Sequence, residues 1–519
     1  MHLFWQKHKP FHFLARGIAS LAFLLLPAMG WSADKPASEK KEAAIELEET
    51  GKNNAARKQD ESGKSNTQLL GEVQVIGSKE KIREIAGSAA YLDEKEIRTH
   101  NYDDINRILK HVPGVYVREE DGFGLFPNIS MRGVDPGRSA KTTVMEDGVL
   151  TAPATYSSPE AYYSPTANRM RSIEVLKGSS QIQFGPHTTG GVINYQSTEV
   201  PTSEQYYNKT TFGSNFEVRD HVYFGNTINT EYGKVGVLVE NFFRSNEGFK
   251  QIDPAPDFRT NDQTGFRKEE PMLKLVWEPN TSKYQRFETK FGYTSLDYKD
   301  GYLGLSEQDF SRDPYRRYNA TRFDRMESEH WRSYMRHFID INPTFNLVTT
   351  AYGSVFERNW QKLNDCRRGG ALTTNLELGA CLQNPQGLAI LRGEAAGTWR
   401  LRNNDRQYAT AGVESLLNSK FQMGETDHKV QTGVRFHHDQ AERFQQDETI
   451  TQTSTGAITS RIAGIPGGAG ARKEETNALA FHVNDAIKYK NFTFTPGARY
   501  EQLFVKFDEL APSTPESGQ

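Results

Sequence analysis

The sequence predicts a mixed α/β domain followed by a long all-β segment with the pattern of a transmembrane β-barrel. Three observations support this fold class. The chain contains 43 glycines, 22 tyrosines and 30 phenylalanines, which favours turns and aromatic-rich strands over helices. Residues 201–519 alternate in polarity, with short turns and long polar loops between the alternating segments. A glycine-punctuated stretch at 173–194, IEVLKGSSQIQFGPHTTGGVIN, joins the two parts.

The net charge and the mean hydropathy of the chain exclude some classes of partner. A formal net charge of −3 over 519 residues lacks the basic excess of a nucleic-acid-binding protein, so no nucleic-acid partner is expected. The mean hydropathy is −0.69, and no apolar run after residue 30 is long enough for a spanning helix. Membrane barrels distribute their apolar side chains in alternation, so this low hydropathy is compatible with a membrane location.

Residues 1–33 have the pattern of an export signal. Lys7, Lys9 and Arg16 precede an apolar core at 18–26, which is followed by Pro27 and small residues. The core is shorter than the roughly 20 residues of a membrane span, which favours a signal peptide over an anchor. Cleavage after Gly30 and cleavage after Ala33 both fit. The mature chain is therefore expected in an exported compartment that permits disulfides.

Residues 34–70 are predicted to be a flexible periplasmic tether, because their charged and polar composition cannot bury enough apolar surface to form a core. The tether leads into a strand-like run, EVQVI at 72–76, which lies between two glycines. A strand at the end of a tether can add to the sheet edge of another protein. The alternative is that it is simply the first strand of the next domain.

Residues 71–200 are predicted to form one mixed α/β domain. A helix is expected at 102–109, with short strands near 115–118, 129–132, 143–145 and 173–176. No nucleophile lies beside a base in a known motif, and no His or Cys group has metal-ligand spacing. We therefore predict no enzyme activity, no cofactor and no metal site.

Residues 201–519 alternate like outer-membrane strands. Phe287, Thr289 and Phe291 form one face of a segment whose other face carries Arg286 and Glu288. We predict about eleven strands, near 205–213, 216–228, 235–244, 271–278, 284–295, 331–340, 346–356, 406–420, 429–439, 477–488 and 492–502. Bacterial single-chain barrels have an even strand number, and an open edge would leave backbone groups unpaired in lipid. We therefore expect the N-terminal half of a barrel of about 22 strands, with the C-terminal half missing.

Four motifs in the first 200 residues are typical of one family. They are VPGV at 112–115, ISMRG at 129–133, MEDG at 145–148 and the stretch at 173–194. In order and spacing these resemble the plug motifs of TonB-dependent outer-membrane receptors. The resemblance implies a plug domain inside a barrel in the bacterial outer membrane, surrounded by outer-membrane lipid.

The run EVQVI resembles the TonB box of that family. The resemblance implies that TonB binds this run by periplasmic strand addition and pulls on the plug during import. The coupling residues are then Glu72, Val73, Gln74, Val75 and Ile76.

Within the family, YLGL at 302–305 and DPYRRY at 313–318 are similar to the ferric citrate receptor class. This resemblance implies import of an anionic ferric chelate, with ferric citrate foremost. Receptors of this class that signal to transcription carry a folded N-terminal domain, and here the predicted tether occupies that place. Three alternatives stay open: another siderophore or a nickel or zinc chelate as substrate, a passive outer-membrane channel, and a secreted β-rich adhesin or hydrolase.

Arginine suits a carboxylate-rich chelate, because its planar fork donates paired hydrogen bonds. Candidates must face the lumen or the external vestibule, although the wet faces of barrels carry many charges of no special function. The predicted substrate-binding residues are Arg138 and Lys141 in a plug loop, Arg316 and Arg317 in an external loop, and Arg435 and His437 on one strand.

Two other predictions concern single side chains. Arg132, in the ISMRG motif, is expected to form a structural ion pair. His437 and His438 are expected on opposite faces of a strand, which disfavours a shared metal ion.

Cys366 and Cys381 are the only cysteines, and both fall in the longest predicted external loop. In an exported protein this pair is expected to form a disulfide, which would contribute about 3 kcal/mol in the chain-entropy model. A reactive thiol is the weaker alternative.

Overall fold

A computed structural model describes residues 76–258, 264–367 and 376–512, all of which belong to one compact unit, Leu69–Gln519. The predicted signal peptide, the tether and residues 72–75 of the coupling strand lie outside the described residues. Within those residues, no helix combines the length and the apolarity that crossing a membrane requires.

The plug domain contains seven short strands and two short α-helices. They are β1 (Ser88–Leu92), α1 (Glu94–His100), α2 (Ile105–Leu109), β2 (Val115–Val117), β3 (Ile129–Met131), β4 (Thr143–Glu146), β5 (Val149–Leu150), β6 (Met170–Lys177) and β7 (Val192–Ser197). Five strands form a sheet in the order β1-β6-β7-β4-β5, and β2 pairs with β3. Only β4 and β7 run parallel in this sheet. The 3-10 helices of the domain are Glu80–Glu84, Gly137–Ser139, Ala167–Arg169, Ser179–Gln183 and Thr188–Gly190.

The predicted helix at 102–109 begins later than expected, at Ile105. The reason is local, because Asp104 caps the helix by accepting a hydrogen bond from the N–H of Asn106 at 2.7 Å. Both helices then bury their apolar faces against β6 and β7. Ile97, Ile108 and Val175 are fully buried in that core.

The stretch at 173–194 forms the central strand pair of the plug, β6 and β7. Tight backbone contacts explain its glycines. Gly191 has φ +123°, and a Cβ on it would lie 2.6 Å from the carbonyl oxygen of Leu176. A side chain at this position would separate the two strands, which supports a structural role for the glycine.

The remaining strands form one large antiparallel sheet with small additions. Its strands are β8 (Gln205–Gly213), β9 (Glu217–Thr230), β10 (Gly233–Asn246), β12 (Phe266–Pro279), β13 (Gln285–Tyr298), β15 (Arg325–Asp340), β16 (Phe345–Arg367), β17 (Leu376–Glu377), β18 (Gly397–Met423), β19 (Thr426–Gln452), β20 (Ile458–Ala463), β21 (Ala471–Tyr489), β22 (Phe492–Phe494) and β23 (Gly497–Glu509). The long strands pair in chain order, and β22 and β23 both pair with β21. Among the described residues β8 and β23 do not pair with each other, so the barrel wall is open.

The connections at one end of the sheet are long and partly folded. They contain β11 (Gln251–Ile252), β14 (Arg316–Arg317), a 3-10 helix at Asn319–Thr321, and helices α3 (Glu307–Arg312), α4 (Leu378–Gln383) and α5 (Pro385–Arg392). We call this the external end, since barrels carry their long loops outside the cell.

Ten of the eleven predicted strands are present, the eleventh, 492–502, is divided into β22 and β23, and the prediction of a barrel preceded by a plug is confirmed. Several strands are much longer than predicted, reaching 27 residues in β18 and in β19. The alternation of polar and apolar residues identifies only the part of each strand that has one side facing the lipid. Beyond it, strands continue into external hairpins whose polarity no longer alternates in the same way.

The two faces of the wall have opposite chemistry. Phe291, Phe436 and Phe481 are exposed on the outer face. Lys290 and Arg435, which lie beside them in sequence, point inward and are buried against the plug. The plug therefore occupies the polar face of the wall, as the resemblance implied.

Candidate functional site

Arg316 and Arg317 hold external loops together. Arg316 donates hydrogen bonds to both carboxylate oxygens of Asp253, at 2.9 Å for the closest, and to Asp309 at 3.0 Å. Arg317 is buried and donates to the carbonyl oxygens of Lys299 and Thr321 at 2.7 and 2.9 Å. Their donors are largely used in these contacts, so neither side chain presents a free fork to the lumen.

Asp309 is the centre of this external cap, which we define as residues 250–258, 299–324 and 376–396. Arg392 donates two close hydrogen bonds to its carboxylate, at 2.6 and 2.7 Å, and the hydroxyl of Tyr318 donates a third at 2.7 Å. Burial by itself would raise the pKa of Asp309, but these hydrogen bonds and Arg316 lower its pKa to about 2. The carboxylate is therefore charged at neutral pH and joins the segments 299–324 and 376–396, and Arg316 extends the link to Asp253 in the third segment.

A disulfide between Cys366 and Cys381 ties α4 to the end of β16. Both cysteines are buried in an apolar cluster with Ile390, Leu391 and Trp399. This cluster stabilises the part of the cap formed by residues 376–396.

Arg435 and His437 face the lumen, as predicted, but the plug covers them. Arg435 donates to the carbonyl oxygen of Gly185, and His437 lies 2.8 Å from the hydroxyl of Tyr352. The neighbouring Asp439 accepts the N–H groups of Tyr156 and of the next residue, at 2.6 and 3.0 Å. The structure thus brings these side chains to a plug–wall contact and not to an open surface. His438 points to the opposite face, where it contacts Asn477.

Arg138 lies near the top of the plug, beneath the cap. It pairs with Glu120, and its guanidinium carbon lies 4.5 Å from the ring centre of Phe126. One terminal nitrogen, Nη1, has no hydrogen-bond partner although it is buried. Lys141 is exposed, and its carbonyl oxygen accepts the N–H of Gly190 at 2.7 Å.

The predicted ion pair of Arg132 is wrong. Its backbone is in the left-handed region, with φ 59°, and this turn directs the side chain toward the end of β6. There its Nη2 donates to the carbonyl oxygen of Lys177 at 3.0 Å. Within the described part of the chain it has no carboxylate partner.

A row of four arginines crosses four neighbouring strands of the wall. They lie on β16, β18, β19 and β21, and each is directly opposite the next: Arg358 and Arg406, Arg406 and Arg443, Arg443 and Arg472. We call this set the arginine row. Like charges directly opposite in an antiparallel sheet are destabilising, so the row lowers stability unless something neutralises it.

Protein carboxylates neutralise this row only in part. Arg472 lies 3.0 Å from Glu474, whereas Arg358, Arg406 and Arg443 form no ion pair with any described residue. Arg358 is 2% exposed, and its Nε and Nη2 have no hydrogen-bond partner among the residues that the structure describes. Arg406 has only two long hydrogen bonds, both at 3.4 Å. A buried guanidinium with unused donors is costly, and this favours an anionic ligand at the row.

The plug and the cap also contribute to this location. The guanidinium carbon of Arg358 lies 4.0 Å from the ring centre of Tyr162 in the plug, and that of Arg138 lies 5.0 Å from the same ring. Lys362 lies four residues after Arg358 on β16. Its ammonium is 3.9 Å from the ring centre of Tyr302 in the cap. The site therefore has a basic wall, an aromatic floor and an aromatic roof.

Sequence reasoning missed the arginine row. Only Arg406 falls within a predicted strand, 406–420, whereas Arg358, Arg443 and Arg472 lie beyond the predicted ends of 346–356, 429–439 and 477–488, so the prediction left these three outside the wall. The juxtaposition depends on the register between strands, because a one-residue slip would separate the four side chains onto different faces. Within the described residues, no group of three or more His, Cys, Asp or Glu side chains could hold a metal ion.

A second polar contact joins the plug to the opposite part of the wall. Lys290 on β13 donates to Glu146 at 2.7 Å and to Asp147 at 2.6 Å, and we call these three residues the plug lock. Burial alone would raise the pKa of Asp147, but Lys274 and Lys290 hold it well below its usual range. Arg169 of the plug also binds Glu146, at 2.8 Å.

Comparison with known proteins agrees with this architecture. Residues 81–192 match the family of the TonB-dependent Receptor Plug Domain. The unliganded ferric citrate transporter FecA superposes with a TM-score of 0.64 and 18% identity, over 85% of this chain and 60% of that one. The siderophore receptor PiuA from Acinetobacter baumannii gives 0.60 and 14%, over 83% and 59%. At these identities the similarity shows the fold.

Sequence relatives cover a smaller region. The vitamin B12 transporter BtuB of Vibrio vulnificus strain CMCP6 is 25% identical over 174 residues, which is 33% of this chain and 27% of the relative. The corresponding protein of strain YJ016 is 30% identical over 129 residues, or 25% and 20% of the two chains. The chain thus spans less than two thirds of the length of these relatives, and about 60% of FecA.

Proposed function

We propose that this chain, a TonB-dependent outer-membrane receptor by its plug domain and its fold, binds an anionic ferric chelate at the arginine row. TonB then supplies the energy that imports the chelate into the periplasm. The family is one of transporters and receptors and not of enzymes. The observation that carries the proposal is the set of three arginines, the buried Arg358 and the half-buried Arg406 and Arg443, that have no carboxylate partner among the described residues.

Ferric citrate is the substrate that this site favours. Its carboxylates surround the iron and leave oxygen atoms on the surface of the complex, where guanidinium forks can bind them in pairs. Tyr162 and Tyr302 can close the floor and the roof of the site and exclude water, which strengthens these charge-assisted contacts. Arg138 adds one unused donor from the plug side.

A competition experiment tests the substrate. Cells that express the receptor take up radiolabelled ferric citrate, and unlabelled carboxylate siderophores, nickel or zinc chelates and vitamin B12 are added in excess. We expect unlabelled ferric citrate to abolish uptake and vitamin B12 to leave it unchanged. If ferric citrate does not compete and another chelate does, the ferric citrate proposal is wrong and the receptor proposal stands.

A deletion tests the energy coupling. Removal of residues 72–76 is expected to abolish uptake and to leave surface binding of the chelate intact, because the attachment to TonB is lost while the residues of the external site are retained. Unchanged uptake would instead support passive diffusion. Conductance of the intact protein in planar bilayers separates the two, since a channel conducts at rest and a plugged receptor does not.

A further inference from the structure

A buried carboxylate lies directly behind the predicted coupling strand. Glu174 is at the centre of the plug sheet and is completely buried. Its Oε1 accepts the backbone N–H groups of Ile76 and Gly77, at 2.9 and 2.7 Å. The first described residues of the plug are therefore held by one side chain.

The other oxygen of the same carboxylate reaches the neighbouring strand. Its Oε2 accepts hydrogen bonds from the side-chain amides of Asn194 at 2.8 Å and Gln196 at 3.3 Å. Asn194 in turn accepts the N–H of Gly148 at 2.9 Å through its own Oδ1. The side-chain amide of Asn194 is rigid, so a rotation that changes its bond to Glu174 also changes its bond to Gly148. Glu174 and Gly148 are therefore connected through one residue.

Gly148 follows Asp147, which belongs to the plug lock. Asp147 accepts the N–H of Ser197 at 2.9 Å and the ammonium of Lys290 at 2.6 Å, and its carbonyl oxygen accepts from Arg336. Lys290 and Arg336 lie on barrel strands β13 and β15. A continuous path of hydrogen bonds thus leads from the N-terminal segment of the plug to the barrel wall.

We propose that Glu174 is a positioning residue that transmits a displacement of Ile76 and Gly77 to the plug lock. The inference rests on the proposed function, because the force would enter at residues 72–76. When the segment moves away, the buried carboxylate loses the two backbone donors of Ile76 and Gly77. The carboxylate then draws more closely on its remaining donors, and a shift of Asn194 toward it lengthens the hydrogen bond between Asn194 and the N–H of Gly148 and loosens the turn that carries Asp147.

Packing supplies a competing route. Ile76 belongs to an apolar cluster with Met145 and Leu150, which flank the lock in sequence. If packing alone carried the displacement, the charge of Glu174 would be irrelevant. A variant of the same shape without the charge distinguishes the two routes.

The test is hydrogen exchange of the purified protein in detergent, read by mass spectrometry for separate plug peptides. In Glu174→Gln one carboxylate oxygen is replaced by an NH₂ group, which donates and cannot accept. Either the backbone N–H groups of Ile76 and Gly77 or the side-chain amides of Asn194 and Gln196 then lose their hydrogen bonds. We expect about tenfold faster exchange in residues 76–85 and in 143–150, and no change in 115–131. Faster exchange confined to 76–85, or spread evenly over the plug, would overturn the proposed relay, which is the path from Ile76 and Gly77 through Glu174 and Asn194 to the plug lock.

Two further variants keep the test decisive if Glu174→Gln does not fold. Asn194→Ala removes only the connection between Glu174 and Gly148. Hydrogen exchange in 143–150 is therefore expected to accelerate, while 76–85 stays protected. Tyr195→Phe is the matched control, since Tyr195 is equally buried on the same strand and its hydroxyl has no hydrogen-bond partner in the described part of the chain. No acceleration of 143–150 in Asn194→Ala contradicts the relay.

Transport supplies a separate readout. Glu174→Gln is expected to bind labelled ferric citrate within twofold of the wild type and to take it up at least tenfold more slowly. Uptake at the wild-type rate would overturn the role in coupling. If the wild-type protein itself does not import ferric citrate, the proposed function fails, and hydrogen exchange still decides whether the relay exists.

Discussion

Arg406 on β18 lies directly opposite Arg443 on β19, and neither side chain forms an ion pair with a described residue. Evolution toward stability alone would place a carboxylate in one of these positions. The pair is therefore best understood as a binding feature whose cost in the empty protein is offset when an anion binds. This view makes opposite predictions for stability and for binding.

Arg406→Gln and Arg443→Gln are each expected to raise the free energy of unfolding by about 0.2–1 kcal/mol for each like-charge contact that is lost, and each variant loses two. The same variants are expected to weaken ferric citrate binding by about tenfold or more, since each loses charge-assisted hydrogen bonds. Thermal unfolding and a binding titration measure the two effects.

Arg325→Gln is the matched control for these variants. Arg325 is exposed on β15 and forms a fork-like pair with Asp297, at 2.7 and 2.8 Å, away from the arginine row. Its replacement is expected to leave affinity unchanged. If stability and affinity fall together in the Arg406 and Arg443 variants, the row is structural and not a ligand site.

Asp309 makes the external cap sensitive to strong acid. Its pKa in the folded protein is about 2, below its ordinary value of about 3.9. A lowered pKa stabilises the folded state above the ordinary value, and this contribution is lost as the pH falls toward 2. Pepsin cleavage within 299–324 is therefore expected to accelerate as the pH is lowered from 4 to 2.

Asp309→Asn should show that acid-sensitive state already at pH 4. The substitution leaves Arg316 and Arg392 without their shared carboxylate, which is expected to cost roughly 3 kcal/mol in local stability. Asp313→Asn, in the same loop, is the control, because Asp313 is exposed and forms no ion pair with a described residue. Cleavage of Asp309→Asn with the wild-type pH dependence would contradict this account.

The disulfide should stabilise one part of the cap. Its loop has a sequence separation of 15, for which the chain-entropy model gives about 3 kcal/mol. Replacement of both Cys366 and Cys381 by serine is expected to accelerate hydrogen exchange in 376–396 and to leave the plug unchanged. Equal exchange in the two proteins would indicate that the apolar cluster around Trp399 suffices.

Lys290→Met tests the plug lock. It leaves Glu146 and Asp147 buried without their main cationic partner on β13, and roughly 3–5 kcal/mol of stability is expected to be lost from the plug–wall contact. Urea unfolding followed by hydrogen exchange in 143–150 measures the change. Lys234→Met, at an exposed position on β10, is the control and should unfold like the wild type. A similar loss in both variants would assign the effect to the removed charge in general and not to the lock.

The sequence anticipated several features because they depend on local pattern. Alternation located ten main strands and the region of the last, which is divided into β22 and β23, and the motifs at 129–133 and 145–148 identified the plug. His437 and His438 fall on opposite faces, as strand geometry requires. The helix start at Ile105 was displaced, because a capping contact of Asp104 prevailed over the apolar spacing.

Binding residues were harder to predict for a physical reason. Arg316 and Arg317 have the side-chain type and the external position that a chelate site requires. Their donors are nevertheless occupied by Asp253 and by two backbone carbonyls. A side chain's partners come from segments far away in sequence. Sequence pattern reports which residues are charged, and it does not report which charges are already paired.

The sequence alone determined the architecture, since period-two alternation and glycine-marked turns are local properties of each segment. Of Arg358, Arg406 and Arg443, it placed only Arg406 within a predicted strand. Only the tertiary structure aligned them in one row, because inter-strand register is set by hydrogen bonds between distant segments. The location of the proposed binding site is therefore a consequence of register and burial, which no single strand encodes.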